Sequence, residues 1–265
     1  MRLTRVFIDT PLAGQSRVML PEDGGNHLVR VLRLAVGAPL RVFDGHGGEY
    51  DATLTLIGKR NVQVELGAHH AIERESPLQV TLLQGLSRGE RMDMTLQKAT
   101  ELGVTAIRPV LARRSNVKLD ADSTPRKLAH WQAVVTSACE QSGRNRVPQV
   151  LSPLDVGAAC AATDATLRLM LAIDGARPLP LLLAEAGPVR HIALLVGPEG
   201  GLDEAEEAVA RRAGFESTLL GRRVLRTETA PLAALAALQT LAGDFGLHQD
   251  AVDLEQGSAP CSNCN

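Results

Sequence analysis

The chain has 265 residues, 45% of them apolar and 2% aromatic, with a formal net charge of −2. That length allows one large or two modest domains, and Leu, Val and Ala must fill any core. The balanced charge argues against a binder driven by bulk electrostatics. No apolar run is long enough to span a bilayer, and Met1-Arg2-Leu3-Thr4-Arg5 opens no secretory hydrophobic region, so a cytoplasmic protein is expected.

Residues 1–72 read as a small β-rich domain. Val18–Leu20, Pro39–Phe43, Tyr50–Ile57 and Asn61–Leu66 are strand candidates, with the clearest alternation in Asn61-Val62-Gln63-Val64-Glu65-Leu66. One helix is expected over Asn26–Arg33, with Leu28, Val31 and Leu32 on its apolar face and Arg30 and Arg33 projecting near one another. A polar linker, residues 73–77, ends at Pro77.

From residue 78 to 246 apolar runs alternate with helical patterns. Strands are expected at 78–83, 106–111, 167–173, 192–196 and 217–220, and helices at about 89–102, 125–142, 178–186, 203–213 and 229–243. Such alternation predicts a parallel sheet covered by helices on both faces. Gly103 and Gly143 stand where helices should end. Leu128, Trp131, Val135, Ala138 and Cys139 form a core stripe, and the polar end Glu140–Arg144 is expected to face a pocket or a second subunit. Leu232, Leu235, Leu238 and Leu241 fit either an interface or the core. Between Arg88 and Arg146 there are eleven Lys/Arg and six Asp/Glu, a local excess of five that suits phosphates or a solvated helix surface alike. Residues 247–265 are polar and are expected to form a disordered tail.

Cys139 and Cys160 stand alone and are expected to be buried thiols. Cys261 and Cys264 make a lone Cys-x-x-Cys. A zinc site needs two further ligands, and no second pair exists, so no metal is expected.

Two glycine-anchored loops carry most of the chemistry. Gly197-Pro198-Glu199-Gly200-Gly201 follows the apolar run 192–196, and Leu220-Gly221-Arg222-Arg223-Val224-Leu225-Arg226-Thr227-Glu228-Thr229-Ala230 opens the last helix. In an open α/β sheet ligands bind at the carboxyl ends of strands, so two such loops suggest one small-molecule pocket. Neither loop ends in Gly-Lys-Ser/Thr, and the first lacks Gly-x-Gly-x-x-Gly spacing. Asp203, with Glu206 three residues on, predicts a capping box whose acidity would repel phosphate. A nucleoside-like ligand without phosphates, or one with positive charge, fits better. A plain turn remains the alternative for the first loop alone.

These loops, with Cys139-Glu140-Gln141-Ser142-Gly143-Arg144, Arg30-Val31-Leu32-Arg33, Ser87-Arg88-Gly89-Glu90-Arg91 and Lys98–Gly103, resemble the ribosomal RNA small subunit methyltransferase E family from Met1 to about Gly246. That resemblance implies a C-terminal trefoil-knotted, parallel-sheet α/β methyltransferase domain of the SPOUT class and a smaller N-terminal PUA-like β-barrel that binds RNA. It implies methylation of a uridine N3 in 16S ribosomal RNA, S-adenosylmethionine as cofactor and a homodimer. For the cofactor it points to Leu195, Gly197, Gly200, Leu220, Gly221, Val224, Leu225 and Ala230. For RNA it makes candidates of Arg30, Arg33, Arg88, Arg91, Arg144 and Arg146. Uridine N3 must lose a proton, so Arg226 and Arg144 are candidates to stabilise charge on the uracil, and Glu228 or Glu199 to take the proton. Glu228 could equally pair with an arginine, and Glu199 could cap its turn. A non-catalytic RNA-binding assembly factor and a methyltransferase acting at another RNA position are the competing readings.

Overall fold

The computed structural model describes residues 3–246 except 22, 23, 26, 59, 60, 173 and 174. The expected tail with Cys261 and Cys264, the first residue of the expected helix at Asn26, and the strand end at Ile173 lie outside the described residues.

The first part is a five-stranded sheet. β1 (Arg5–Phe7), β2 (Arg17–Met19), β3 (Pro39–Phe43), β4 (Glu49–Ile57) and β5 (Val62–His70) run in the order β1-β3-β4-β5-β2. All neighbours are antiparallel except β1 and β3. Alternate residues of β4 and β5, including Ala52, Leu54, Val62 and Val64, point into a core shared with Ile8, Leu12 and Leu28. The stretch expected as a helix over Asn26–Arg33 is instead a single π-helical turn, His27–Val31. Its extra residue per turn takes Val31 off the face of Leu28, and Leu32 lies beyond it: Leu28 is buried, whereas Val31 is 65% exposed. Arg33 lies beyond the turn at φ 53, so Arg30 and Arg33 do not share a helix.

The second part holds β6 (Gln79–Gly85), β7 (Ala106–Leu111), β8 (Gln149–Val150), β9 (Leu154–Asp155), β10 (Leu167–Leu171), β11 (Arg177–Pro178), β12 (His191–Val196) and β13 (Glu216–Leu219). The order is β11-β13-β10-β12-β6-β7-β8, with β9 also on β7, and every pairing is parallel. Parallel strands demand crossovers. These are supplied by α1 (Glu90–Glu101), α2 (Thr124–Ser142), α3 (Val156–Ala161), α4 (Leu179–Ala186), α5 (Glu204–Arg212) and α6 (Thr229–Ala242).

Helices cover both faces. α1 buries Met92, Leu96 and Ala99, spaced by four and three residues, against one cluster that also takes Trp131, Val135, Leu235 and Leu238. α3 and α5 cover the other face, with Ala159, Cys160 and Ala210 beside Met170 and Leu195. Each fully buried leucine contributes about 1.5–3 kcal/mol. Gly143, at φ 92, caps α2, and Gly103, at φ 85, follows α1.

Residues 71–78 join the two sheets without helix or strand; Arg74 and Glu75 bind the residues that end α2, and Ser76 Oγ donates to Gln239 of α6 at 2.6 Å. Arg144 is 5% exposed; its guanidinium meets both oxygens of Glu75 and donates to Thr100 O and Val104 O at 2.8 Å each. Arg5 donates from the first sheet to Cys139 O at 2.7 Å and Arg144 O at 3.1 Å. Glu140 accepts from Phe7 N at 2.9 Å, and Asn145 donates to Ile72 O. The polar end of α2 therefore faces the first sheet and the linker. The expectation that Arg144 lies at the reacting base or on RNA is corrected here, because its donors are turned inward onto partners from three other segments.

Burial pushes the Cys139 thiol up to about 12 and the Cys160 thiol up to about 11. Both are free and buried, hence protonated and poor nucleophiles at neutral pH. Iodoacetamide should leave both unlabelled in the native protein and modify both in denaturant, as read by peptide mass spectrometry. Arg144→Ala would strand the Glu75 carboxylate and two carbonyls. Chemical denaturation should show a loss of about 3–5 kcal/mol, and a loss under about 0.5 kcal/mol would show that the pair carries no stability.

Candidate functional site

Parallel strands deliver their carboxyl ends to one edge, so the segments after β6, β7, β12 and β13 meet there. The turn Gly197–Gly201 follows β12, and Gly201 N donates to Pro198 O at 2.8 Å. A Cβ on Gly85, the last residue of β6, would lie 2.4 Å from Pro198 N and 2.7 Å from Gly197 C. A Cβ on Gly200 would lie 2.9 Å from Arg114 Cβ and O. Glycine is needed at both places because backbone approaches backbone. At Gly221, by contrast, no atom lies within 4 Å of a Cβ, and the requirement is conformational, with φ +100.

Side chains fix the loops to one another. Thr227, 8% exposed in the second loop, donates its hydroxyl to Gly197 O at 2.9 Å in the first. Arg114 donates to Leu202 O at 3.2 Å, and Ser115 Oγ to Leu86 O at 3.0 Å. The expected capping box is present: Glu206 N donates to Asp203 Oδ1 at 2.7 Å, and Asp203 N to Glu206 Oε2 at 2.9 Å. The other oxygen of Glu206 accepts from Arg113 N at 2.8 Å, so one buried carboxylate joins α5 to the loop after β7. The bond from Glu206 N, aided by Arg113, holds the Asp203 carboxyl below the usual range.

Three polar atoms near this edge are buried without a hydrogen-bond partner: Gln84 Oε1, Ser87 Oγ and Glu228 Oε2. Gln84 lies in register with Val196, and Glu228 follows the threonine that binds Gly197. Buried polar groups are seldom left unpaired. Glycine-lined backbone and unpaired polar atoms together suit a polar ligand that needs close contact. Among the described residues no group of His, Cys, Asp and Glu could hold a metal ion.

The sequence-derived candidates divide into separate places. Gly197, Gly200, Leu220, Gly221, Leu225, Ala230, Arg226 and Glu228 belong to the two loops. Leu220 and Ala230 pack against the main core cluster, and Arg226 is exposed. Leu195 is 0% exposed among Met170, Leu202 and Phe215, so its side chain is core and forms no ligand wall. Val224 is 79% exposed and makes no part of the packed wall. Glu199 does not cap its turn but pairs with Arg91 at 3.2 Å, which ties α1 to the loop. Arg88 lies exposed between β6 and α1. Arg146 pairs with Glu73 at 2.8 Å near the first sheet, while Arg30 and Arg33 are exposed and remote in the chain. Gly85, Arg114 and the second role of Glu206 escaped sequence reading, while Ser87 and Thr227 stood in the motifs singled out but without roles of their own.

Comparison with known proteins agrees with this layout. Residues 74–239 match the family model of an RNA methyltransferase domain, and residues 20–67 that of an RNA methyltransferase PUA domain. The Ribosomal RNA small subunit methyltransferase E of Synechocystis sp. is 36% identical over 219 residues, covering 82% of this chain and 70% of that protein. The protein of the same name from Buchnera aphidicola of Schizaphis graminum is 30% identical, covering 92% and 98%. The crystal structure of the Neisseria gonorrhoeae Ribosomal RNA small subunit methyltransferase E bound to S-adenosyl methionine is 43% identical, with a TM-score of 0.86 over 92% of this chain and all of that one.

Gly85→Ala must move the turn and is expected to cost about 1–3 kcal/mol. Thr227→Val keeps the volume and removes one hydrogen bond, costing about 1 kcal/mol. Hydrogen exchange should quicken at Gly200 and Gly201 in both variants, with β7 unaffected. Native-rate exchange in both would show that the turn stands without these contacts.

Proposed function

The chain belongs to the ribosomal RNA small subunit methyltransferase E family, and we propose on that footing that it methylates N3 of a uridine in 16S ribosomal RNA, using S-adenosylmethionine held by the two loops. The observation that carries the reading is the union of both glycine loops at one sheet edge through Thr227 and Gly197 O. Their chemistry fits the cofactor: open glycine backbone at Gly201 and Gly221 for close approach, the unpaired buried Gln84 Oε1 and Ser87 Oγ for an adenosyl or amino-acid group, and no phosphate loop. When bound, the sulfonium supplies an activated methyl group.

The residues of the chain then have three tasks. Leu220, Gly221, Leu225, Ala230 and the Gly197–Gly201 backbone position the donor, which is most of the catalysis that such a transfer needs. Glu228 takes the N3 proton through its unpaired Oε2, which would leave the nitrogen pair available to the methyl group that the bound cofactor would supply. Arg226, exposed two residues earlier in the loop, stabilises the charge that develops on the uracil oxygens. Arg30, Arg33, Arg88 and Arg91 contact phosphates. Residues 1–72 serve RNA binding, 78–246 catalysis, with 73–77 between them and the knot threaded by segments around 192–243. Leu181, Leu241 and Phe245 are each more than half exposed, and such apolar side chains suit a homodimer; a ribosomal RNA substrate suits the cytoplasm.

Nucleoside mass spectrometry of small-subunit RNA from a deletion strain, before and after treatment with protein and S-adenosylmethionine, should show gain of N3-methyluridine. A methyl on ribose or on another base would move the target. Gly221→Val, strained at φ +100, should weaken cofactor binding at least tenfold, about 1.4 kcal/mol by calorimetry. Arg226→Ala should cut turnover about a hundredfold with RNA affinity retained, and Glu228→Gln should do likewise. Full turnover in Glu228→Gln would assign the proton to another acceptor.

A further inference from the structure

Away from the strand-end loops, a cleft of about 490 Å³ opens between the two sheets, lined by Arg5, Arg41, Glu49, Arg74, Ser142 and Gly143. We propose that this cleft is a phosphodiester-binding site that holds one backbone phosphate of the RNA across the two domains. The proposal rests on the RNA substrate read above but concerns residues that play no part in that reading.

The lining is unevenly committed. Arg5 is spent: besides Glu49 at 3.2 Å it donates to carbonyls at the end of α2 and to Asn145. Arg74 gives one nitrogen to Gly143 O at 2.9 Å and reaches Glu49 only at 3.5 Å, with its side chain 41% exposed. Arg41 Nη1 is buried, makes no hydrogen bond, and lies 3.6 Å from Glu49. Ser142 Oγ is likewise buried and unpartnered. Two desolvated donors in one cleft thus make no hydrogen bond, Arg41 Nη1 having only a long ion pair to Glu49 and the hydroxyl nothing, a condition that burial makes costly unless a ligand meets it.

Charge selects the ligand. Asp51 also approaches Arg41, at 3.2 Å, and the hydrogen bond from His70 holds its carboxyl below the usual range, so it stays ionised. The guanidiniums of Arg5, Arg41 and Arg74 meet the carboxylates of Glu49 and Asp51, and the Glu140 carboxylate accepts from Phe7 N behind Arg5. The flanking pairs Arg144–Glu75 and Arg146–Glu73 neutralise themselves. The guanidinium N–H of Arg41 and the hydroxyl of Ser142, each without a hydrogen-bond acceptor, match the acceptor oxygens of a singly charged phosphodiester. Glu49 and Asp51 disfavour the doubly charged terminal phosphate of a nucleotide.

The test measures binding of a small-subunit RNA fragment to the full chain from about 50 to 200 mM salt. Arg41→Gln should make the plot of log K against log salt shallower by about 0.7–0.9, the loss of one phosphate contact. Ser142→Ala leaves every ion pair of Glu49 in place. It should weaken binding about fivefold with the slope unchanged, and it decides the matter if Arg41→Gln fails to fold. Cofactor affinity, measured in parallel, should not move. Unchanged slope in folded Arg41→Gln, or unchanged RNA affinity in Ser142→Ala, overturns the proposal. So does protection of the wild type by inorganic phosphate that Arg41→Gln abolishes while its RNA slope stays put, since the cleft would then take small free anions. A reduced slope in a protein that makes no methylated product would sink the catalytic reading and leave the cleft standing.

Discussion

Between Gly85 and Pro198 there is room for a hydrogen atom and nothing larger, and the catalytic half of the molecule is organised around that contact. It exists because β6 and β12 are parallel neighbours, so that both chains leave the sheet at the same edge and in the same direction. The turn after β12 has to fold back over the end of β6. Arg114 then presses on Gly200, Thr227 reaches Gly197 O, and Glu206 holds α5 against the segment after β7. Every one of these is a backbone contact or a bond to backbone. Geometry fixed in this way needs little rearrangement to receive a ligand, which lowers the cost of binding.

The two halves meet by a different chemistry. Apolar side chains make up each core, yet the junction depends on Arg5, Arg74 and Arg144 and the carbonyls at the end of α2. Arginine suits the task because one planar group can serve several acceptors at fixed angles. Arg144 serves Glu75, Thr100 and Val104 at once, drawing on the linker, α1 and the loop that follows it. Orientation between the halves is thereby set by directional bonds, where an apolar seam would have allowed sliding.

Much of the parallel sheet was legible because strand and helix periods alternate over long segments, and the capping box and buried thiols follow from local chemistry. What was hidden lay in short or long-range features. β1, with three residues, is too brief to show alternation, and α3 is a six-residue run rich in alanine. The turn at His27–Val31 kept the apolar residues of a helix but not its pitch. Arg144 misled for another reason. Charge in a sequence has no direction, and its partners at Glu75 and Thr100 cannot be read from the residues beside it. Leu195 showed the same limit among apolar residues, since a strand end adjoins both ligand edge and core.

The order of strands also sets a schedule for the newborn chain. β6 and β7 emerge early, but the second neighbour of β6 is β12, and Leu235 and Leu238 of the final helix close the same core. Until His191–Val196 has left the ribosome, one edge of β6 stays unpaired. Distant pairings of this kind fold slowly, and an unpaired apolar edge invites association with other chains. The topology that brings two remote loops to one edge thus leaves the half-made chain open to association in a way that the finished protein is not.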